Sequence, residues 1–198
     1  MTIAQNSQLF CEYIGAQSHF ILAFAIDYTT SASLADGQFN VFWDSTSLSP
    51  FAFSSIRQSN GNVKVALILG GDTVTDSQTC FSPSSIDSWV NNVVSSLTSI
   101  IQDYNLDSID NDYEHFQFDV DAFAECIGQS LTTLENNRVI SIASIAPFDD
   151  AQVQSHHQAL WARFSNVIDH VNFQFYANVM RVQSFLSNKI LLVQYQTK

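Results

Sequence analysis

The sequence predicts an α/β fold, because short apolar runs alternate along the chain with amphipathic segments. The runs are rich in Ile, Val and Phe, which is typical of strands covered on both faces in a parallel sheet. Seven such strands with helices between them favour a (β/α) barrel over an open sheet. The predicted strands are residues 10–14, 19–27, 63–69, 106–114, 139–146, 170–176 and 190–196.

The segments between these strands are predicted as helices. The clearest one follows Ser82 and Pro83, which suit the N-cap and the first turn of a helix. Its apolar residues fall on one stripe at helical spacing: Trp89, Val90, Val93, Val94, Leu97, Ile100, Ile101 and Tyr104. Two further stripes are Phe123, Cys126, Ile127, Leu131 and Leu134, and Val153, Leu160 and Phe164. Residues 29–37 and 72–79 are predicted as polar loops.

Several single aromatic and histidine side chains have a predicted place in this arrangement. His156 and His157 lie on the last helix and are predicted to be solvated surface residues. Trp161 on the same helix is predicted to pack in the core, whereas the ring of Trp43 could stack on a sugar. His115 is predicted to pack at the end of its strand.

The composition indicates a folded protein and limits its partners. Of the 198 residues, 46% are apolar and 13% are charged, which is enough apolar material for the core of a single domain. Seven Lys and Arg against 19 Asp and Glu give a formal charge of −12, which repels nucleic acid and anionic lipid. No apolar run is close to the length of a membrane-spanning helix, which needs about 18 residues. We therefore expect no nucleic-acid partner and no membrane partner.

The three cysteines Cys11, Cys80 and Cys126 are odd in number and irregularly spaced. At least one thiol must stay unpaired, and no pair has the spacing of a metal-binding knuckle. We expect three free cysteines that are mostly buried.

The stretch 106–114 carries the candidate chemistry. Residues two apart on a strand share a face, so Asp110, Asp112 and Glu114 are predicted to lie on one side, roughly 6–7 Å apart. Three carboxylates on a buried face raise the pKa of at least one of them, which is the condition for a general acid near neutral pH. Glu114 would reach the carboxyl-terminal mouth, where barrel enzymes keep their sites.

Two other interpretations of this stretch remain open at this point. It could be an acidic edge strand that faces water. It could also bind a divalent cation, although the sequence has no glycine-bearing ligand loop there.

The spacing Asp107-x-x-Asp110-x-Asp112-x-Glu114 resembles the signature of glycoside hydrolase family 18, the chitinase family. Residues 12–17, 19–28, 112–116 and 171–176 resemble, more narrowly, the bulb-plant chitinases and the narbonin-like branch. The resemblance implies a TIM-type (β/α)8 barrel that hydrolyses chitin or N-acetylglucosamine oligosaccharides with retention and uses no cofactor and no metal. The substrate's own acetamide oxygen attacks the anomeric carbon in this family.

The resemblance also implies roles for individual residues. Glu114 would protonate the glycosidic oxygen, and Asp112 would orient the acetamide, with Asp110 beneath it tuning a shared proton. Tyr176 would donate its hydroxyl to the acetamide oxygen. The residues assigned to substrate binding are Tyr13, Gln174 and Asp107.

The ends and connections of the chain depart from the family pattern. The sequence stops at Lys198, after the seventh predicted strand, so we expect an incomplete barrel without the eighth strand and last helix. Residues 1–9 are predicted as a tail and 10–198 as a single partial catalytic domain. Only residues 15–18 separate the first two strands, too few for a parallel crossover. The first strand should therefore join the second as one bent element or leave the barrel.

Other departures are local. Residues 177–188 leave room for only a stunted helix, and open sheet edges would allow self-association. Ser108 and Asn111 replace a glycine and an apolar residue of the family. Asn111 is expected to face the helix layer, where an unpaired amide costs roughly 1–3 kcal/mol. Ile68 stands where the family has a serine, ahead of Gly70 and Gly71.

These departures leave two alternatives to an active hydrolase. One is a catalytically inactive chitinase-like protein that binds saccharide or serves as storage, and the other is a truncated non-functional product. Family members are often secreted or vacuolar, but residues 1–6 lack the basic start and apolar core of a secretion signal, so no compartment is assigned.

Overall fold

A mixed sheet with helices on one side forms the frame of the molecule. The computed structural model describes residues 9–14, 17–59 and 63–175. Its strands are β1 (Leu9–Ile14), β2 (Gln17–Ile26), β3 (Asn40–Val41), β4 (Val63–Gly71), β5 (Thr73–Val74), β6 (Ser77–Gln78), β7 (Cys80–Phe81), β8 (Ser108–Tyr113), β9 (His115–Phe116), β10 (Ile142–Ile145) and β11 (His170–Val171). The helices of the described ranges are α1 (Pro50–Ser59), α2 (Ile86–Tyr104), α3 (Val120–Asn136) and α4 (Ala151–Phe164).

The main sheet has the order β1-β2-β4-β8-β10-β11, with β3 paired to β2. From β2 to β11 every neighbouring pair along this order is parallel. This confirms the predicted α/β class with a parallel sheet. The predicted seventh strand (190–196) and the segment 177–188 lie outside the described residues.

Strand β1 corrects one expectation from the sequence. It pairs antiparallel with β2, and Ile14 is the partner of Gln17. Strand β1 is therefore neither an extension of β2 nor outside the sheet, but an antiparallel strand next to it. The reason is the short connection, because strands joined by so few residues can pair as a hairpin but not as a parallel crossover.

The helix layer agrees with the predicted stripes. On α2 the buried residues are Trp89, Val93, Leu97, Ile101 and Tyr104, and on α3 they include Phe123, Cys126, Ile127, Leu131 and Leu134. Helix α2 begins three residues later than expected. Its N-cap is Ser85, whose side chain accepts from the backbone N–H of Ser88, so Ser82 and Pro83 precede the helix.

Two predicted surface features are wrong. Residues 73–78 contain the small antiparallel hairpin β5–β6 instead of an irregular loop. Trp43 is buried and packs edge-on against Tyr104 with ring centroids 5.1 Å apart, so its ring lies in the helix layer and not at a sugar site. Trp161, by contrast, packs against the main core as predicted.

His156 and His157 are buried, contrary to the prediction of solvated histidines. The ring of His156 stacks on Phe116 with centroids 3.8 Å apart. The Nε2 atom of His157 donates to the carbonyl oxygen of Tyr113 at 3.3 Å. Helical periodicity alone could not place them, because α4 packs against both α3 and β9 and so buries a wider face than its apolar residues indicate.

Burial lowers the pKa of His157 to about 4. An unfolded histidine titrates near 6.5, so the unfolded chain takes up a proton before the folded one does. This part of the stability is complete above pH 6.5 and is lost as the pH falls toward 4, by about 3 kcal/mol in all. We expect His157→Gln, which keeps a donor for Tyr113, to flatten this acid dependence in urea unfolding at pH 7, 5.5 and 4. An equally steep dependence in the variant would contradict it.

None of the helices within the described ranges is both long and apolar enough to cross a membrane.

Candidate active site

Strand β8 carries two carboxylates on the sheet face opposite the helices. Asp110 and Asp112 are only 2% and 6% exposed, so this strand is not an acidic edge that faces water. Asn111 and Tyr113 alternate with them and point to the helix layer. Asn111 thus faces the helix layer as predicted, and its side chain has no hydrogen-bond partner among the described residues.

Asp110 accepts hydrogen bonds from two neighbouring elements. The Ser144 hydroxyl on β10 donates to its Oδ1 at 2.6 Å, and the Nδ2 atom of Asn172, just after β11, donates to its Oδ2 at 3.2 Å. Burial raises the pKa of Asp110, and these two hydrogen bonds oppose the rise.

Asp112 lies one strand repeat further toward the carboxyl end. Its Oδ1 accepts from Nε2 of Gln174 at 2.6 Å, and the same nitrogen also donates to the carbonyl oxygen of Ala146 at 2.7 Å. Burial raises the pKa of Asp112 well above its usual value, and the charges of Glu114 and Asp110 raise it further. The carboxyl therefore retains a proton at pH values where an exposed aspartate has lost it.

Glu114 follows β8 directly and is half-buried. Burial and the nearby charge of Asp72 raise its pKa, while His115 acts in the opposite direction. His115 lies 2.7 Å from Asp72 through its Nε2 atom, so it does not merely pack at the strand end. A half-exposed carboxyl with a raised pKa can hold a proton and still reach a ligand in the mouth, which are the requirements for a general acid.

A further carboxylate, at the end of β2, contacts β8 from the helix side of the sheet. Asp27, buried at the end of β2, accepts from the Tyr113 hydroxyl at 2.7 Å and from the Trp89 indole N–H at 3.1 Å. It connects β2, β8 and α2 behind the acidic row. Sequence reasoning did not single it out, although an aspartate that ends a long apolar run was a signal that could have found it.

Gly70 allows β4 and β8 to approach each other next to Asp112. Its φ is +93°, and a Cβ atom there would lie 3.0 Å from the carbonyl oxygen of Asp112. Gly70 pairs with Asp112 in the β4–β8 ladder, so a side chain at this position would displace the carboxylate strand.

The family model of glycosyl hydrolases family 18 matches residues 3–194 of this chain. The chain belongs to this family. Chitinase 1 from Tulipa saxatilis subsp. bakeri is 53% identical over 201 residues, which cover 91% of this chain and 64% of the tulip protein. RuBisCO-associated protein from Glycine max is 30% identical and is matched over 55% of its length.

Two solved structures of family 18 resemble the described fold. The catalytic domain of a chitinase from the fern Peteris ryukyuensis is 53% identical with a TM-score of 0.78, and 80% of this chain covers 58% of it. The family 18 chitinase from Crocus vernus is 50% identical with a TM-score of 0.79, and 82% of this chain covers 59% of it. The predicted TIM-type barrel fold is thereby confirmed, and the chain spans less than two thirds of the length of these relatives.

Asp107, which is predicted to bind substrate, lies apart from the other predicted site residues of this family 18 chain. It precedes β8, about 23 Å from Glu114 along an extended strand. Its carboxylate forms ion pairs with Arg57 at 3.0 Å and Lys64 at 3.1 Å, and it accepts from the backbone N–H of Val65. Asp107 therefore stabilises the amino-terminal end of the sheet, opposite the end that carries Glu114.

The remaining predicted site residues differ in what the structure describes. Asp110, Asp112 and Gln174 are brought together, with Glu114 at the end of their strand. Tyr13 lies on β1 opposite Ser18, but its side chain is outside the described part of the structure. Tyr176 lies outside the described residues as well. Within the described ranges, no group of three or more His, Cys, Asp or Glu side chains is arranged to hold a metal ion.

The crowding of the carboxylates leads to a prediction about stability. Because the pKa of Asp112 is raised in the folded chain, its favourable contribution is complete below pH 4 and is lost as the pH rises. Asn at this position can still accept from Gln174 but carries no charge. We therefore expect Asp112→Asn to raise the free energy of unfolding at pH 7 and to raise it less at pH 4. Calorimetric melting of the variant and the wild type at both pH values tests this. A gain in stability that is smaller at pH 7 than at pH 4 would refute it.

Proposed function

We propose that this chain is a chitinase-type hydrolase that cleaves β-1,4-linked N-acetylglucosamine polymers with retention, with Glu114 as the general acid. One observation carries the proposal, namely that the row of carboxyls on β8 is buried beneath Glu114 at the carboxyl-terminal end of a parallel strand. Active sites of (β/α)8 barrels lie at this end. The tulip, fern and crocus relatives named as chitinases support the choice of substrate.

In the proposed reaction Glu114 gives its proton to the glycosidic oxygen, and the bond from that oxygen to the anomeric carbon breaks. The acetamide oxygen of the same sugar attacks the anomeric carbon, so no enzyme carboxylate needs to act as nucleophile. Water then opens the resulting cyclic intermediate, and its proton returns to Glu114. The raised pKa of Glu114 suits this exchange, because the group must hold the proton first and accept one later.

Asp112 is proposed to receive the acetamide N–H and to stabilise the positive charge that develops on that group. Gln174 supports this role because its hydrogen bond to Asp112 Oδ1, at 2.6 Å, fixes the orientation of the carboxyl group. Tyr176 and Tyr13 keep their predicted roles at the acetamide oxygen and in the lining of the sugar site. Residues 10–198 remain proposed as one partial catalytic domain.

A matched pair of substrates tests this proposal. A fluorogenic chitotrioside carries the acetamide that the reaction requires, whereas the corresponding cellotrioside has a hydroxyl in its place. We expect release of the fluorophore from the chitotrioside alone. Hydrolysis of both at similar rates would exclude the acetamide-assisted reaction. Hydrolysis of neither, with binding of chitohexaose in a calorimetric titration, would instead support the inactive saccharide-binding protein.

A further inference from the structure

Two amide side chains stand opposite two carboxylates with the same spacing. Asn172 and Gln174 follow β11 two residues apart and donate to Asp110 and Asp112 respectively, which are two residues apart on β8. Ser144 on β10 contacts both Asp110 and Asn172, since its Oγ is 2.6 Å from Asp110 and 3.3 Å from Asn172 Nδ2. We call Asp110, Ser144 and Asn172 the lower rung, and Asp112 with Gln174 the upper rung.

The parallel register produces the lower rung. Ser144 is the direct partner of Asp110 in the β8–β10 ladder. The backbone N–H of Asn172 donates to the carbonyl oxygen of Ile145, which continues the same pairing one strand further. In the β10–β11 ladder Ser144 pairs with His170, so Asn172 lies two residues further along β11 on the same face and its side chain reaches back to Asp110.

On the opposite flank, the side chains that the structure describes offer Asp110 no hydrogen-bond donor. Its partner on β4 is Ile68, whose buried side chain packs with Ile21, Ala23 and Ala66. Ile68 stands where the family resemblance predicts a serine, and its side chain cannot form a hydrogen bond. Both side-chain hydrogen bonds of Asp110 come from the β10–β11 side instead.

We propose that Ser144 and Asn172 are positioning residues, which hold Asp110 in one orientation as an ionised carboxylate beneath Asp112. The pair of Asp110 and Asp112 then carries a negative charge, which faces the positive charge that develops on the acetamide. The kinetic consequence rests on the proposed function, but the hydrogen-bonded state of Asp110 does not.

The donor pattern argues for the ionised form. An amide N–H and a hydroxyl both point at Asp110, and a carboxylate accepts both, whereas a protonated carboxyl needs an acceptor for its own hydrogen. Ser144 could accept that hydrogen only by turning its own proton toward the carbonyl oxygen of Ile109, which is 3.5 Å away. The charged or titratable groups that act on Asp110 in the described residues are Asp112 on its own strand and His170 on β11.

A double-mutant cycle tests the state of Asp110 without any substrate. Ser144→Ala and Asn172→Ala are made in the wild type and in Asp110→Asn, and urea unfolding midpoints are measured at pH 7 and pH 4. We expect each alanine to lower the midpoint more at pH 7 than at pH 4 in the wild type, and equally at both pH values in Asp110→Asn. Ser141→Ala is the matched control, because Ser141 contacts the backbone of Asp107 at the other end of the sheet.

The kinetic arm uses the fluorogenic chitotrioside. Ser144→Ala and Asn172→Ala should each lower kcat about 10- to 100-fold with KM changed less than about twofold, because they misplace a group beneath the reacting centre without touching the sugar. The acidic limb of the pH profile should move to higher pH, and Ser144→Thr, which keeps the hydroxyl, should restore both.

The two arms separate the two hypotheses. Midpoint losses that are equal at both pH values in the wild type overturn the positioning role, whatever the activity. A cycle with the expected pH dependence, in a wild-type chain that hydrolyses no chitotrioside, supports the ionised Asp110 and overturns the proposed function alone.

Discussion

Glu114→Gln is expected to lower kcat for chitotrioside hydrolysis by about 10²- to 10⁴-fold, the usual contribution of a general acid. The glutamine side chain has the same size and can still hydrogen bond, but it has no proton to give to the glycosidic oxygen. KM should change little, because ground-state contacts with the sugar are kept. Initial rates over a range of chitotrioside concentrations measure both quantities.

The pH dependence of kcat/KM is a second test of the same variant. The raised pKa of Glu114 should place the basic limb of kcat/KM above the range of an ordinary glutamate, and that limb should disappear in Glu114→Gln. Glu135→Gln is the matched control, since Glu135 is exposed at the end of α3. Equal rates for wild type and Glu114→Gln would remove Glu114 from the reaction.

Phe81→Ala is expected to lower the free energy of unfolding by about 3–5 kcal/mol, the cost of emptying a buried phenylalanine site. Phe81 is fully buried on β7, and its ring contacts Trp89, Tyr113 and Phe123 edge-on with centroids 5.2–5.5 Å away. These three rings belong to α2, β8 and α3, so the cavity would open where all three elements meet. Urea unfolding of both proteins measures the loss.

The same substitution should also reduce activity below the level that lost stability explains. Strand β7 pairs with β9, and the residue before β9 is Glu114. Phe51→Ala is the control, because Phe51 has the same side chain but is 80% exposed. A loss of stability in Phe51→Ala comparable to that in Phe81→Ala would refute the argument from burial.

Local patterns predicted most of the layers correctly. The stripe on α2 and the stripe on α3 are buried as expected, because helical spacing alone decides which residues share a face. The alternation along β8 likewise placed Asp110 and Asp112 on one face and Asn111 on the other.

The errors occur where a residue's surroundings come from distant parts of the chain. Asp107 starts the acidic motif in the sequence, yet its partners Arg57 and Lys64 lie at the far end of the sheet. His157 on α4 contacts Tyr113 of β8 and Phe123 of α3, and Trp43 packs against the ring of Tyr104 on α2. The sequence next to His157 or Trp43 does not indicate either of these contacts.

The sequence by itself determined the parallel α/β frame and the shared face of the two buried aspartates, because both follow from the periodicity of strands and helices. Only the tertiary structure decided which groups hold those aspartates. The register of β8, β10 and β11 brings them into contact with Ser144, Asn172 and Gln174. The register of β4 places Ile68, whose side chain has no hydrogen-bond donor, next to Asp110. Register depends on packing between strands separated by whole helices, and no local pattern encodes it.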